Sequence, residues 1–163
     1  MKKLVIAIAI VAAGVGGVSY ANYVATQEVR TEVDKQLALV SDQTGATFKY
    51  AGLSASVISQ SVEITNMEVI SPEGDNVAHI QSIEVTGYET DKISPHTAFT
   101  LKNFQFDKSF VDTLPADTNT QLASASYDLH SSLDYDEQSG HSDIVVKLQA
   151  NDIASIDMDM GLA

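Results

Sequence analysis

The spacing of apolar residues changes twice along the chain and divides it into three parts. An uninterrupted apolar run covers Leu4–Tyr23, and apolar residues spaced by four, four and three follow within Val29–Val40. From there on, apolar and polar residues alternate, as in strands with one buried face. The sequence therefore predicts a signal or transmembrane helix over 1–23, an amphipathic helix over 24–43 and a β domain over 44–163. The expected fold class is mainly β, with a curved antiparallel β-meander sheet.

The β domain is predicted to contain short strands that are separated by turns. Turn-forming residues cluster at Pro72–Asn76 and Asp136–Gly140, and short turns between successive strands favour antiparallel neighbours. The loop Lys108–Leu114 is long enough for one helical turn, which Pro115 would end. The predicted strands lie near 46–50, 54–60, 61–71, 77–88, 98–107, 122–136, 142–150 and 153–162.

Two of these strands share the pattern apolar-x-Asn-apolar-x-apolar. It occurs in Ile64–Val69 and again in Leu101–Phe106, and in both the alternation of apolar residues changes phase at the asparagine. One extra residue in a strand has this effect, and Asn tolerates the left-handed backbone that such a residue can need. The pattern predicts β-bulges at Asn66 and Asn103.

The last predicted strand alternates without interruption. Ile156, Met158, Met160 and Leu162 fall on one face of it. An edge strand with an apolar face favours association with other chains. We therefore expect either a partner that covers this edge or a sequence that continues in a longer protein.

The apolar N-terminal run is typical of an export signal. Lys2 and Lys3 precede it, and the next charged residue is Glu28. Ser19–Ala21 matches a small-x-small cleavage site, yet the run is also about long enough to cross a bilayer core of roughly 30 Å. Both alternatives place the β domain in the periplasm, either anchored to the inner membrane or released by cleavage after Ala21. The residues expected in the membrane are Leu4, Ile8, Val11, Val15, Val18, Tyr20 and Tyr23.

Composition excludes several classes of function. The formal net charge of −13 repels phosphate backbones, so nucleic-acid binding is disfavoured. The chain has no cysteine, which excludes disulfides, thiolate nucleophiles and thiolate metal sites. About 140 residues follow the N-terminal run, enough for one domain.

Motifs of catalysis and metal binding are absent from the sequence. The four histidines lack the spacing of a zinc motif, and there is no Gly-x-Ser-x-Gly elbow. The acidic turn that begins at Asp134 places Gly140 seventh and Val145 twelfth, where a calcium loop needs Gly sixth and Glu twelfth. We predict a protein that is not an enzyme and uses no cofactor or metal.

Part of the chain resembles a family of envelope proteins. The segments Phe48–Val57, Ser61–Val69 and Ser71–Gly74, after a possible anchor, look like the N-terminal part of the AsmA-like and YdgA-like proteins. The resemblance covers roughly residues 2–88 and implies a Gram-negative inner-membrane protein with a curved periplasmic β-sheet. It also implies a role in envelope lipid handling or homeostasis, although AsmA-like proteins are usually several times longer.

Two hypotheses for function follow. In the first, the apolar face of a bent sheet binds lipid acyl chains or another hydrophobic ligand, unless that face is an ordinary covered core. In the second, the chain is a non-catalytic structural module that pairs with another envelope protein through its edge strands. The side chains expected to line the ligand site are Val57, Val62, Ile64, Val85, Phe99, Leu101, Val146 and Leu148.

Overall fold

A computed structural model gives the structure of the protein. It describes residues 25–56, 60–87, 95–115, 120–151 and 153–162. Within these ranges the chain forms one long helix followed by a single antiparallel sheet, which confirms the prediction of a mainly β fold.

The sheet is a seven-stranded meander in which each strand pairs with the next one along the chain. The first strand, Thr47–Ser56, and the last, Ala154–Leu162, therefore form its two edges. One predicted break is wrong, because a single strand, Thr47–Ser56, runs from the segment near 46–50 into the start of the segment near 54–60. The strands are β1 Thr47–Ser56, β2 Ser61–Ile70, β3 Asn76–Thr86, β4 His96–Phe106, β5 Ser126–Asp136, β6 His141–Ala150 and β7 Ala154–Leu162.

Helix α1, Ala25–Thr44, covers the first half of the sheet. It ends before Gly45, whose φ of 75° is a left-handed conformation that glycine adopts without a steric penalty. The predicted apolar stripe is buried, and its Val33, Leu37 and Val40 form one cluster with residues of β1–β4. The sheet residues of this cluster are Leu53, Ile64, Met67, Ile80, Ile83, Val85 and Leu101.

A row of four residues crosses β1–β4 at the middle of the sheet. The strand registers place Ala51 opposite Asn66, Asn66 opposite Gln81, and Gln81 opposite Asn103. We name these four residues the inversion row. The same face of the sheet is apolar on both sides of this row. Apolar residues of one strand are normally two positions apart, but the two that flank the row are three positions apart. The pairs on either side are Tyr50 and Leu53, Ile64 and Met67, Ile80 and Ile83, and Leu101 and Phe104.

The two predicted bulges differ in the structure. Asn66 and Asn103 both have left-handed backbone, with φ of 52° and 51°. At Asn103 the pairing with β5 shifts by one residue, between Leu101 and Phe104. At Asn66 the prediction of an inserted residue is wrong, because β2 keeps one continuous register across this position with both β1 and β3. The apolar pattern changes phase there because the neighbouring strands change phase in the same row.

Two short helices connect β4 and β5. Helix α2, Lys108–Val111, lies in the loop predicted to hold a helical turn, and the Asp107 carboxylate caps it by accepting the backbone N–H of Ser109 at 2.8 Å. Hydrogen bonds from the Ser109 hydroxyl and backbone lower the pKa of Asp107. Helix α3, Thr120–Ala123, occupies the start of the predicted strand 122–136, so β5 begins only at Ser126.

Candidate functional site

The face of the sheet that forms the core continues beyond helix α1 onto β5, β6 and β7. Residues directly opposite each other on paired strands share a face. Leu101 of β4 is opposite Leu129 of β5, which is opposite Leu148 of β6. Leu148 is in turn opposite Ile156 of β7. This row therefore extends from the core to the far edge of the sheet.

Two further apolar pairs of β6 and β7 lie next to this row on the same face. Val146 is opposite Met158, and Ile144 is opposite Met160. We name the six residues from these three pairs the exposed apolar face. They are Ile144, Val146, Leu148, Ile156, Met158 and Met160.

Exposure increases steeply along the row that leads to β7. Leu101, beneath helix α1, is 6% exposed, whereas Ile156 is 54% exposed. Met158 and Met160 are 49% and 47% exposed. A sheet with an apolar face is stable in water only when another layer covers that face. Among the described residues, the helices make their extensive contacts with β1 and β3, and none of these contacts reaches β6 or β7.

The opposite face of the same two strands is polar. Asp157 of β7 is directly opposite Lys147 of β6, and Asp159 alternates with the two methionines. Strand β7 is thus amphipathic, with carboxylates on one face and large apolar side chains on the other. Thioether side chains are flexible and polarizable, and they adapt to ligands of irregular shape.

The predicted lining residues do not all lie at the exposed apolar face. Phe99, Val146 and Leu148 are partly buried and lie at or near the exposed apolar face. Val57 lies outside the described residues. The remaining four are side chains of the buried core, so a ligand on this face does not reach them while helix α1 is in place. These four are Val62, Ile64, Val85 and Leu101.

Sequence reasoning did not assign Ile156, Met158 and Met160 to the ligand site. Their strict alternation with Ser155, Asp157 and Asp159 was the available signal, and it predicted an apolar strand face correctly. Only the pairing of β7 beside β6 shows that this face is continuous with Val146 and Leu148.

A shallow cavity of about 380 Å³, lined mainly by residues with polar side chains, lies on the other side of the sheet, around Asn103. The Asn103 side chain donates to Gln81 at 3.2 Å and accepts a hydrogen bond from the Ser126 hydroxyl at 2.5 Å. Its backbone N–H donates to the Asp128 carboxylate at 2.7 Å. The asparagine therefore serves both as the left-handed residue of the bulge and as the centre of a network that joins β3, β4 and β5.

The described residues contain no group of three histidine, aspartate or glutamate side chains that could hold a metal ion. Two histidine–aspartate pairs occur on exposed side chains, His96 with Asp134 at 2.6 Å and His141 with Asp143 at 3.0 Å. In the acidic turn, the Asp136 carboxylate accepts the Ser139 hydroxyl and the Gln138 N–H, and these hydrogen bonds lower its pKa. Its oxygens thus stabilise the turn itself.

The seven residues expected in the membrane, from Leu4 to Tyr23, lie outside the described part of the chain. Within the part that is described, no helix has both the length and the apolar character needed to span a bilayer. Neither a scan of protein-family models nor a search of curated protein sequences returns a match.

Proposed function

We propose that the chain is an exported envelope protein that binds lipid acyl chains, or a similar hydrophobic ligand, on the exposed apolar face. The observation that carries this proposal is the half-exposed apolar side of β7, formed by Ile156, Met158 and Met160, which extends the buried core to the edge of the sheet. Such contiguous apolar surface on a soluble domain marks a ligand, partner or membrane site.

The N-terminal sequence supports the location. Lys2 and Lys3 followed by the apolar run Leu4–Tyr23 are typical of a segment that directs export and is held with its N-terminus in the cytoplasm. An anchor would keep helix α1 and the sheet close to the membrane surface, where acyl chains are abundant. The resemblance of Phe48–Val57 and Ser61–Val69 to AsmA-like proteins favours the same assignment.

The size of the hydrophobic effect is sufficient for weak, reversible binding. Burial of ten methylene groups would contribute about 8 kcal/mol, and the loss of translational and rotational freedom opposes this by about 4 kcal/mol or more. The dissociation constant should then lie at about 1 mM, or lower if the face holds more of the chain. This range suits transient contact with lipid at a membrane, where the local lipid concentration is high.

The test uses the full chain in cells that are fed a palmitic acid carrying a diazirine. After irradiation, the protein is purified and the labelled peptides are mapped by mass spectrometry. We expect labels in the peptides of β6 and β7. Replacing Ile156 and Met158 together by Gln should reduce that labelling severalfold, because two of the three side chains that β7 contributes to the exposed apolar face become polar.

The matched control is Ser155→Gln, which adds the same side chain to the exposed polar face of the same strand. It should leave the labelling unchanged. Labels in residues 1–24 report separately on membrane insertion and serve as an internal check of the photochemistry. Labelling of β7 that is equal in all three proteins, or absent while residues 1–24 are labelled, would contradict the proposal.

A second candidate function is pairing with another protein through β7. The specific observation is that β7 is hydrogen-bonded to β6 on one side only, within the described residues. The free side of an edge strand presents backbone N–H and C=O groups that can add a further strand.

A further inference from the structure

The free edge of β7 has a charge pattern that selects among possible partner strands. Asp157 and Asp159 lie on its polar face, and Ile156, Met158 and Met160 lie on the other. A strand added at this edge would place its side chains directly beside these residues, in the rows that already cross the sheet.

Pairing of β7 with a second copy of itself is unfavourable. We consider an antiparallel pair of two β7 strands whose apolar faces lie on the same side. If this pair is centred on residue 157, 158 or 159, an aspartate lies directly opposite another aspartate. Like charges in directly opposite positions are destabilising. The two aspartates therefore act against self-association at this edge, as charges on edge strands commonly do.

The sheet itself shows which neighbour suits this edge. On its paired side, Asp157 is opposite Lys147, while Val146 and Leu148 lie opposite Met158 and Ile156. Strand β6 thus places a lysine opposite Asp157, whereas Asp159 lies opposite Val145. A partner strand that alternates aliphatic and basic residues would continue the apolar rows beyond β7 and place a basic side chain opposite each aspartate.

The other edge of the sheet lacks these features. The apolar side chains of β1 are covered, since Leu53 is buried and Phe48 and Tyr50 pack against the core clusters. Lys49 is exposed on its polar face, and an edge lysine discourages strand addition. A strand added at β7 would bury apolar surface, whereas one added at β1 would find little left to bury.

We propose that the free edge of β7 binds an extended segment of another protein in which Lys or Arg residues alternate with aliphatic residues. The basic side chains lie opposite Asp157 and Asp159, and the aliphatic ones extend the exposed apolar face. This inference rests on the second candidate function, edge pairing, and specifies the chemistry of the partner.

The test uses the full chain in nanodiscs of zwitterionic lipid and two fluorescein-labelled nine-residue peptides. One alternates Val with Lys, and the other alternates Val with Glu. Binding is followed by fluorescence anisotropy. Two cross-strand pairs of opposite charge should give the Lys peptide an affinity about five- to tenfold higher than the Glu peptide. Two further versions of the Lys peptide carry N-methyl groups on every second backbone amide, either at the odd or at the even residues (the two phases). Only the version whose methyl groups block the amides that face β7 should lose binding.

Charge reversal at the edge is the decisive variant. Asp157→Lys combined with Asp159→Lys should invert the preference, so that the Glu peptide binds more tightly. The control is Glu73→Lys combined with Asp75→Lys, which makes the same change in net charge in the exposed β2–β3 turn. It should keep the original preference for Lys, since long-range attraction changes equally in both variants.

Three results would overturn the inference. These are equal binding of the two peptides, full binding in both N-methylated phases, or a preference for the Lys peptide that charge reversal at Asp157 and Asp159 leaves unchanged. Palmitate labelling of β6 and β7 is measured on the same proteins. If that labelling persists while peptide binding fails, the edge inference fails and the lipid proposal stands.

Discussion

Asn66 and Asn103 lie in one row of the sheet, on either side of Gln81, and both have a left-handed backbone. The two residues have different surroundings. Asn66 is exposed, and the register of its strand is continuous. Asn103 marks the shift against β5 and hydrogen-bonds to Gln81 and Ser126. The same backbone geometry therefore has a local role at Asn66 and a wider structural role at Asn103.

Glycine substitutions should separate these two roles. Glycine accepts a left-handed backbone, so Asn66→Gly should change the free energy of unfolding by less than about 1 kcal/mol. Asn103→Gly should cost a further 1–3 kcal/mol or so, because the polar groups around it lose their hydrogen-bond partner. Urea denaturation followed by circular dichroism measures both. Equal losses for the two variants would show that the network around Asn103 contributes nothing.

A β-branched residue tests the backbone geometry itself. Asn66→Val should destabilise the fold by about 1–3 kcal/mol, because valine is strained at positive φ. Glu68→Val, on the same strand and also exposed, is the control and should have little effect. If both valine variants are equally stable, the left-handed conformation at Asn66 is not a constraint.

The sequence predicted the strands of this sheet better than it predicted the inversion row. Alternation identified β2, β3, β4, β6 and β7 to within two residues at each end. The change of phase at the two asparagines was also visible, but its cause depends on the neighbouring strands. A single strand does not show whether its partners change phase in the same row, so an inserted residue at Asn66 was the natural expectation.

A signal for the inversion row was present in β1 and β3 as well. Tyr50 and Leu53 are three residues apart, as are Ile80 and Ile83, although neither strand has an asparagine there. In β1 the predicted boundary between the segments near 46–50 and 54–60 falls at this spacing. The number of strands that helix α1 covers could not be predicted, because it depends on the order of the strands in the sheet and on where the helix packs on them.

Helix α1 should contribute most of its stabilisation through its buried stripe. Leu37 is 5% exposed and packs in the core, so Leu37→Ala should cost about 2–5 kcal/mol. Leu39, two positions later, is 47% exposed, and Leu39→Ala should stay within about 0.5 kcal/mol of the wild type. Thermal unfolding of the full chain compares the two. Similar losses would mean that the helix does not pack on the sheet as described.

The contact between Tyr50 and Asp34 should make stability depend on alkaline pH. The Tyr50 hydroxyl donates to the Asp34 carboxylate at 2.6 Å. Burial, this hydrogen bond and the nearby negative charge raise the pKa of Tyr50 to about 12, with Arg30 acting in the opposite direction. Because the pKa is higher in the folded state, the contribution is complete below about pH 10 and is lost as the pH rises towards 12.

Tyr50→Phe isolates this effect. The variant should be less stable than the wild type at pH 8, and the difference should shrink between pH 10 and pH 12. Urea denaturation at each pH gives the comparison. A difference that stays constant over this interval would show that Tyr50 ionises equally easily in the folded and unfolded states.

The most direct test of lipid binding places a fluorescent label on each face of β7. The chain has no cysteine, so Met158→Cys and Ser155→Cys each introduce one attachment point, on the apolar and the polar face respectively. A fatty acid carrying bromine quenches a fluorophore only at contact range. We predict that it quenches the label at position 158 strongly and leaves the label at position 155 bright. Equal quenching at both positions, or none at 158, would contradict binding of acyl chains by the exposed apolar face.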